Sequence, residues 1–193
     1  MSDTSVDPYL LPMTSLRSRL GRALWLVVYA ILFRPTPRPM HAWRAFVLRC
    51  FGAQLGTGCH IYPECEIWAP WNLRCDEGAC IGERAIIYNA ALVHLGSHAI
   101  VSQHAYVCAA THDIDDPDFP IITAPISIGP YAWICARASV LPGVNVHEGA
   151  VLGLGALTSK DLEAWQVYGG VPARRIRSRA RRDSHGRPRS ASA

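Results

Sequence analysis

Aliphatic residues recur every six positions through the second half of the chain, at Ile128, Ile134, Val140, Val146 and Leu152, with Thr158 closing the series. Four residues later in each unit stands a small or β-branched side chain: Ala132, Ala138, Val144, Ala150 and Ala156. The pattern returns upstream from Leu95, Val101 and Val107, with Ala99, Ala105 and Thr111 at the same offset. Ile81 and Ile87 hold one phase; Ile61, Ile67 and Leu73 hold another. Six is neither a helical period nor simple strand alternation. It is the signature of a parallel β-helix built from hexapeptides. One hexapeptide makes a short strand and a turn, and three make a triangular coil. The aliphatic residue points inward and stacks on its equivalent in the next coil, so stability is nearly a nearest-neighbour sum. An ordinary β-sandwich would have to produce six consecutive units in one phase by chance. The glycines at 82, 96, 129, 143, 149, 153 and 155 are expected to ease tight corners. The phase slips near 74–80 and 88–95 read as small bulges or loops.

Composition narrows the class further. Of 193 residues, 50% are hydrophobic and 18% charged, which supplies a core and excludes global disorder. The longest apolar run, Ala23 to Phe33, has eleven residues, well short of the roughly 18–20 needed to span a bilayer. The first 15 residues carry Asp3 and Asp7, no basic residue and no cleavage pattern, so no export signal is expected. Seven cysteines, at 50, 59, 65, 75, 80, 108 and 135, are odd in number and form no CxxC. They read as reduced thiols in a cytoplasmic protein, mostly small core residues. Charge is uneven. Residues 1–50 hold seven Arg against two Asp (+5), 51–173 hold four basic residues against twelve acids (−8), and 174–193 hold eight Arg against Asp183 (+7). An acidic body argues against a nucleic-acid reader, and basic ends suggest a membrane surface or local phosphate contacts.

The ends differ from the repeat in kind. Residues 15–33 read as a helix with Ser15 as a possible cap. Pro35, Pro37 and Pro39 break it, and 40–51 can form a second short helix. Two compatible readings follow: an amphipathic hairpin in peripheral contact with a membrane, or a helical cap over the open end of the β-helix. After Gly170, VPARRIR can form a last strand or helix. From Arg179 the Ser/Arg-rich tail is expected to be disordered. The division is therefore 1–51 tail and cap, 52–178 β-helix, and 179–193 tail.

The repeat runs to His112, stops, and resumes at Ile126–Ile128, ejecting a loop over 113–126. Loops ejected from solenoids are where function sits. This one opens on Thr111, His112 and Asp113. Histidine is the side chain best suited to accept a proton near neutral pH.

These motifs carry a family resemblance. THD at 111–113, SIGPYAWICARASVLPGVNVHEGAVLGLGALTSKD at 127–161, GGVPARRIR at 169–177 and FRPTPRPMHAW at 33–43 together resemble the hexapeptide-repeat acyltransferases. The order is most similar to the colanic-acid-biosynthesis branch of O-acetyltransferases, relatives of the maltose and galactoside enzymes. The resemblance implies an all-β, left-handed parallel β-helix assembled as a homotrimer, with active sites between subunits. It implies that His112 is the general base for direct transfer of an acetyl group from acetyl-CoA to a sugar or glycan hydroxyl, in a ternary complex. Ala136, Leu154, Ser159, Lys160 and Arg174 match cofactor positions, with Arg177 a further candidate. Trp133 would wall the pantetheine channel or simply pack. Tyr88 and Asn89 match a turn that orients the acceptor, and Asp113 either orients His112 or is solvated loop. Relatives commonly have Gly at the position of Cys135 and Thr at that of Ser159.

Other chemistries fit less well. Zinc hydratases on related β-helices need two close His downstream of a third; His94, His98 and His104 cluster, but none follows His112 closely, so no metal is expected. Asp115, Asp116 and Asp118 lack the rest of a calcium loop. No nucleophile motif and no phosphate-cradling glycine loop occurs. Remaining alternatives are acetylation of a small hydroxylated compound, such as an antibiotic or serine, and a non-catalytic β-helix scaffold.

Overall fold

The computed structural model describes residues 16–180; the Ser15 cap and the tail from 181 lie outside them. Helix α1, Leu16–Val28, widens into a π turn at Tyr29–Phe33, and α2 spans His41–Cys50. Short parallel strands then wind over three faces. The first face holds Gln54–Leu55, Leu73–Cys75, Val93–Leu95, Ile126–Ile128 and Asn145–Val146. The second holds His60–Ile61, Cys80–Ile81, Ile100–Val101, Trp133–Ile134, Val151–Leu152 and Gln166–Gly169, with Arg174–Ser178 antiparallel at its end. The third holds Glu66–Ile67, Ile86–Tyr88, Tyr106–Cys108, Ser139–Val140 and Leu157–Thr158. The parallel β-helix expected from the six-residue period is the fold.

The period works as stacked ladders. Ile61, Ile81, Val101, Ile134 and Leu152 are register partners on the second face, all fully buried. Ile67, Ile87, Val107, Val140 and Thr158 form the ladder of the third face. The small residues Ala79, Ala99, Ala132 and Ala150 are buried just before second-face strands, and Ala85, Ala105, Ala138 and Ala156 just before third-face strands. Cys59 and Cys65 occupy the same small slots in the first coil, and Cys75 an inward aliphatic slot beside Leu95. A thiol is small and apolar enough for either place.

The coils are not all one length. Partners are 20 residues apart early (Gln54 opposite Arg74, Cys80 opposite Ile100) and 18 apart late (Ser127 opposite Asn145, Ser139 opposite Leu157). The extra residues sit in the corners leading from the third face to the first. One is 68–72, with a 3-10 turn at Pro70–Asn72, and the other is 88–92. The first phase slip therefore lies upstream of 74–80, because Cys75, Ile81 and Ile87 keep the six-residue step. Leu73 and Cys75 both point inward, which disguises where the slip falls.

Glycine serves both turning and stacking: Gly143, Gly149 and Gly155 take left-handed corners, whereas Gly82, Gly96 and Gly129 lie against the backbone of the next coil. A Cβ on Gly96 would come within 2.7 Å of the Pro130 backbone nitrogen in the next coil. The left-handed corner positions are often filled by other residues, such as His98, His104, Tyr131 and Arg137.

The cap closes the first coil. Val47 and Leu48 of α2, and Trp25 and Phe33 before it, join the core cluster. The Trp25 indole N–H donates to the Ile67 carbonyl at 2.7 Å. Arg44 is fully buried and donates to Ile61 O, Thr36 Oγ1, Pro37 O and Arg38 O, tying the proline-rich link to the first coil. At the other end, Arg179 does not begin a free tail: its N–H donates to Trp165 O at 2.7 Å, and its guanidinium to Tyr131 O and Gly149 O.

Candidate active site

The ejected segment is a β-hairpin, not an irregular loop. Strand Ala110–His112 pairs antiparallel with Ile121–Thr123, setting His112 opposite Ile121. The tip is turned by Asp side chains, with Asp113 Oδ1 accepting from Asp115 N–H and Asp116 Oδ1 from Asp118 N–H. His112 is exposed, and its Nδ1 lies 2.5 Å from the carbonyl oxygen of Phe119. A carbonyl can only accept, so Nδ1 carries the proton. The neutral ring then holds its lone pair on Nε2. Phe119 has φ 45°, a left-handed conformation that a bulky residue seldom adopts. The Asp113 carboxylate caps the turn instead of reaching the His112 ring. Sequence reasoning missed Phe119 because a backbone oxygen carries no residue signal.

The other expected residues fall on two different edges. His112, Asp113, Ser159 and Lys160 lie where the third face turns to the first, as do Tyr88 and Asn89 one coil before His112. Ala136, Leu154 and Arg174 lie where the second face turns to the third, one per successive coil. One chain therefore does not bring His112 and the Ala136–Leu154–Arg174 line together. The Ser159–Lys160 turn is fixed from both sides. Thr158 Oγ1 donates to Lys160 O at 2.7 Å, and the Asp161 carboxylate accepts the Asn145 N–H at 2.7 Å. Arg174 follows Ala173, whose N–H donates to Leu157 O. Arg177 pairs with Val167 on the outer strand of the second face. Trp133 is half-exposed on that face, its indole N–H bound to Ser102 Oγ at 2.8 Å. Leu154 is 77% exposed.

Tyr88 and Asn89 separate in role. Asn89 is fully buried; its amide exchanges two hydrogen bonds with the Ala69 backbone, at 2.6 and 2.9 Å. It staples two neighbouring corners. Tyr88 packs edge-on against Trp68, with ring centroids 5.4 Å apart. Both rings line a cavity of about 210 Å³ between α1 and the third face, with Arg22, Trp25, Tyr29 and Glu66 among its other walls. The Arg22 guanidinium lies 3.9 Å from the Trp68 ring centroid. Arg22 and Trp68 are 46 positions apart, so no local motif pointed to them.

The outer faces differ in polarity. The first presents Arg74, His94, Ser127 and Asn145, with His94 Nε2 2.9 Å from Asp76 Oδ2. The second presents Ile100 and Trp133, and the third Ile86 and Tyr106, each at least 36% exposed.

No family model matches the chain. It is 36% identical over 156 residues to the Escherichia coli K12 protein named colanic acid biosynthesis acetyltransferase WcaF, covering 81% of this chain and 86% of that one. It is 28% identical over 96 residues to the galactoside O-acetyltransferase of the same organism, covering 48% and 47%. Among solved structures, a maltose O-acetyltransferase from Clostridium difficile 630 superposes with TM-score 0.76 at 20% identity, over 86% of this chain and 90% of that one. A galactoside acetyltransferase in complex with coenzyme A gives TM-score 0.78 at 19% identity, over 86% and 84%. At such identities the structural matches speak for the fold.

Proposed function

Because the chain belongs to the hexapeptide-repeat acetyltransferases and is an acetyl-CoA-dependent acyltransferase, we propose that it acetylates a hydroxyl of a sugar or glycan precursor in the cytoplasm, with His112 as general base. The contact between His112 Nδ1 and the Phe119 carbonyl carries this reading, because it leaves Nε2 as the proton acceptor. An alcohol is a poor nucleophile until a base takes its proton in the transition state. Nε2 accepts the hydroxyl proton as the oxygen attacks the thioester carbonyl carbon. Collapse of the tetrahedral adduct expels the CoA thiolate, and the imidazolium returns the proton to that sulfur. No acyl-enzyme is needed, and the acetyl donor and acceptor are bound together.

The residues suit an acetyl-CoA substrate. The line Ala136–Leu154–Arg174 runs along one edge past successive coils, the form an extended pantetheine needs. Arg174, Arg177 and Lys160 offer exposed cations for phosphates on a body that is otherwise acidic. The edge separation calls for two chains at each site. Apolar second and third faces with a polar first face suit a ring of three, each copy pressing one apolar face on each neighbour. The 210 Å³ cavity, with its Trp68–Tyr88 aromatic wall and the charges of Arg22 and Glu66, fits a sugar ring. The colanic acid name of the 36% relative points to the same acceptor class.

The test is turnover with acetyl-CoA and a panel of glycosides, scoring acetyl esters by mass. His112→Asn should lower kcat by about 10²–10⁴-fold while leaving acetyl-CoA binding unchanged. A folded His112→Asn enzyme with near-normal turnover would end the general-base assignment.

A further inference from the structure

α1 buries Trp25 and lays Arg22 against the coil, and leaves a row of apolar side chains facing outward. Arg22 is the only charged residue between positions 20 and 33, and it lies over Trp68 against the coil. Leu20, Leu24, Val27 and Ile31, spaced three and four apart, are 56–71% exposed. The stripe continues onto α2, where Trp43 and Phe46 are exposed and the Trp43 indole N–H is bound to Leu32 O at 2.7 Å. A contiguous apolar face of this size on a folded protein marks a docking surface. Its surroundings identify the partner. Positions 16–63 contain seven Arg and no Asp or Glu; Arg44 is buried and Arg22 lies on Trp68, while Arg19, Arg34, Arg38 and Arg49 are exposed. Two such caps placed face to face would bring like charges together, whereas anionic headgroups would meet the arginines favourably.

We propose that the outward face of α1 and α2 docks on an anionic lipid bilayer. Leu20, Leu24, Val27 and Ile31 sit at the headgroup–acyl boundary, with Arg19 and Arg34 at the flanking phosphates. The helix lies in the interface and does not cross it, since no described helix is long and apolar enough to span. This inference rests on the cap alone, so it stands or falls separately from acetyl transfer.

The test is sedimentation of the full chain with two kinds of vesicle, phosphatidylglycerol mixed with phosphatidylcholine, and phosphatidylcholine alone. The wild type should pellet with the first and not the second, and added salt should release it. Leu24→Glu/Val27→Glu replaces two outward aliphatics by carboxylates and should weaken partitioning roughly 100-fold. Both positions are clear of the core, and the variant should keep the wild-type mass by light scattering. A wild type that stays in the supernatant with both vesicles would overturn the proposal. So would equal binding to both vesicles. A smaller particle for the double variant would overturn it too, by showing the face to be a contact between copies.

Discussion

At the scale of the residue, the His112 ring is aimed by a backbone oxygen whose place depends on Phe119 taking a left-handed conformation. His112 stands out in the sequence because the period fails right after it. The carbonyl that fixes its tautomer does not, because any residue supplies one. Asn89 shows the converse: the family resemblance implied an acceptor contact, but its burial commits the amide to Ala69. Two predictions belong here. Lys160→Ala and Arg174→Ala should each raise the KM for acetyl-CoA more than they lower kcat, each removing a charge-assisted contact of about 1.5–3 kcal/mol. Initial-rate kinetics against acetyl-CoA check this, and an unchanged KM in both would move the phosphates elsewhere. The second concerns thiols. Burial pushes Cys65 up to about 12 and Cys75 well above its ordinary 9.0. Alkylation reads the thiolate, so at pH 8 the exposed Cys50 should react while Cys65 and Cys75 stay unlabelled until the protein unfolds. The linkage sign follows. Above pH 9 the unfolded chain loses thiol protons that the folded chain keeps, so these groups lower stability as pH rises from 9 toward 12.

At the scale of the element, the inward ladders were readable because stacking repeats one environment at fixed spacing. Coil length was not, since two inward residues only two positions apart, Leu73 and Cys75, blur the slip. The glycines were legible as required but not for the right reason at every position. Gly96 has no room for a Cβ against Pro130, whereas Gly58, at φ 66°, meets nothing nearer than 4.0 Å. Gly96→Ala should therefore cost about 2–4 kcal/mol through backbone displacement, and Gly58→Ala only about 1 kcal/mol through conformation. Denaturant titration of the two variants distinguishes them, and equal costs would mean that the coils part easily at that corner. The hairpin was read as a loop because Pro117, Pro120 and Pro125 mask short strands that pair only with each other.

At the scale of the whole molecule, His112, the proposed base, and the proposed cofactor line Ala136–Leu154–Arg174 occupy different edges, which is invisible to a sequence that does not say which face each hexapeptide joins. The proposed active site is therefore a property of two chains. Its most direct test is co-expression of two inactive variants, His112→Asn and Leu154→Glu/Arg174→Glu. The first spoils one edge and the second spoils the other, and all the altered side chains are exposed. If each site takes His112 from one copy and the cofactor edge from its neighbour, random mixed trimers should recover about one quarter of wild-type acetyl transfer. Mixtures as inactive as their parents would place both edges in one chain and contradict the shared site.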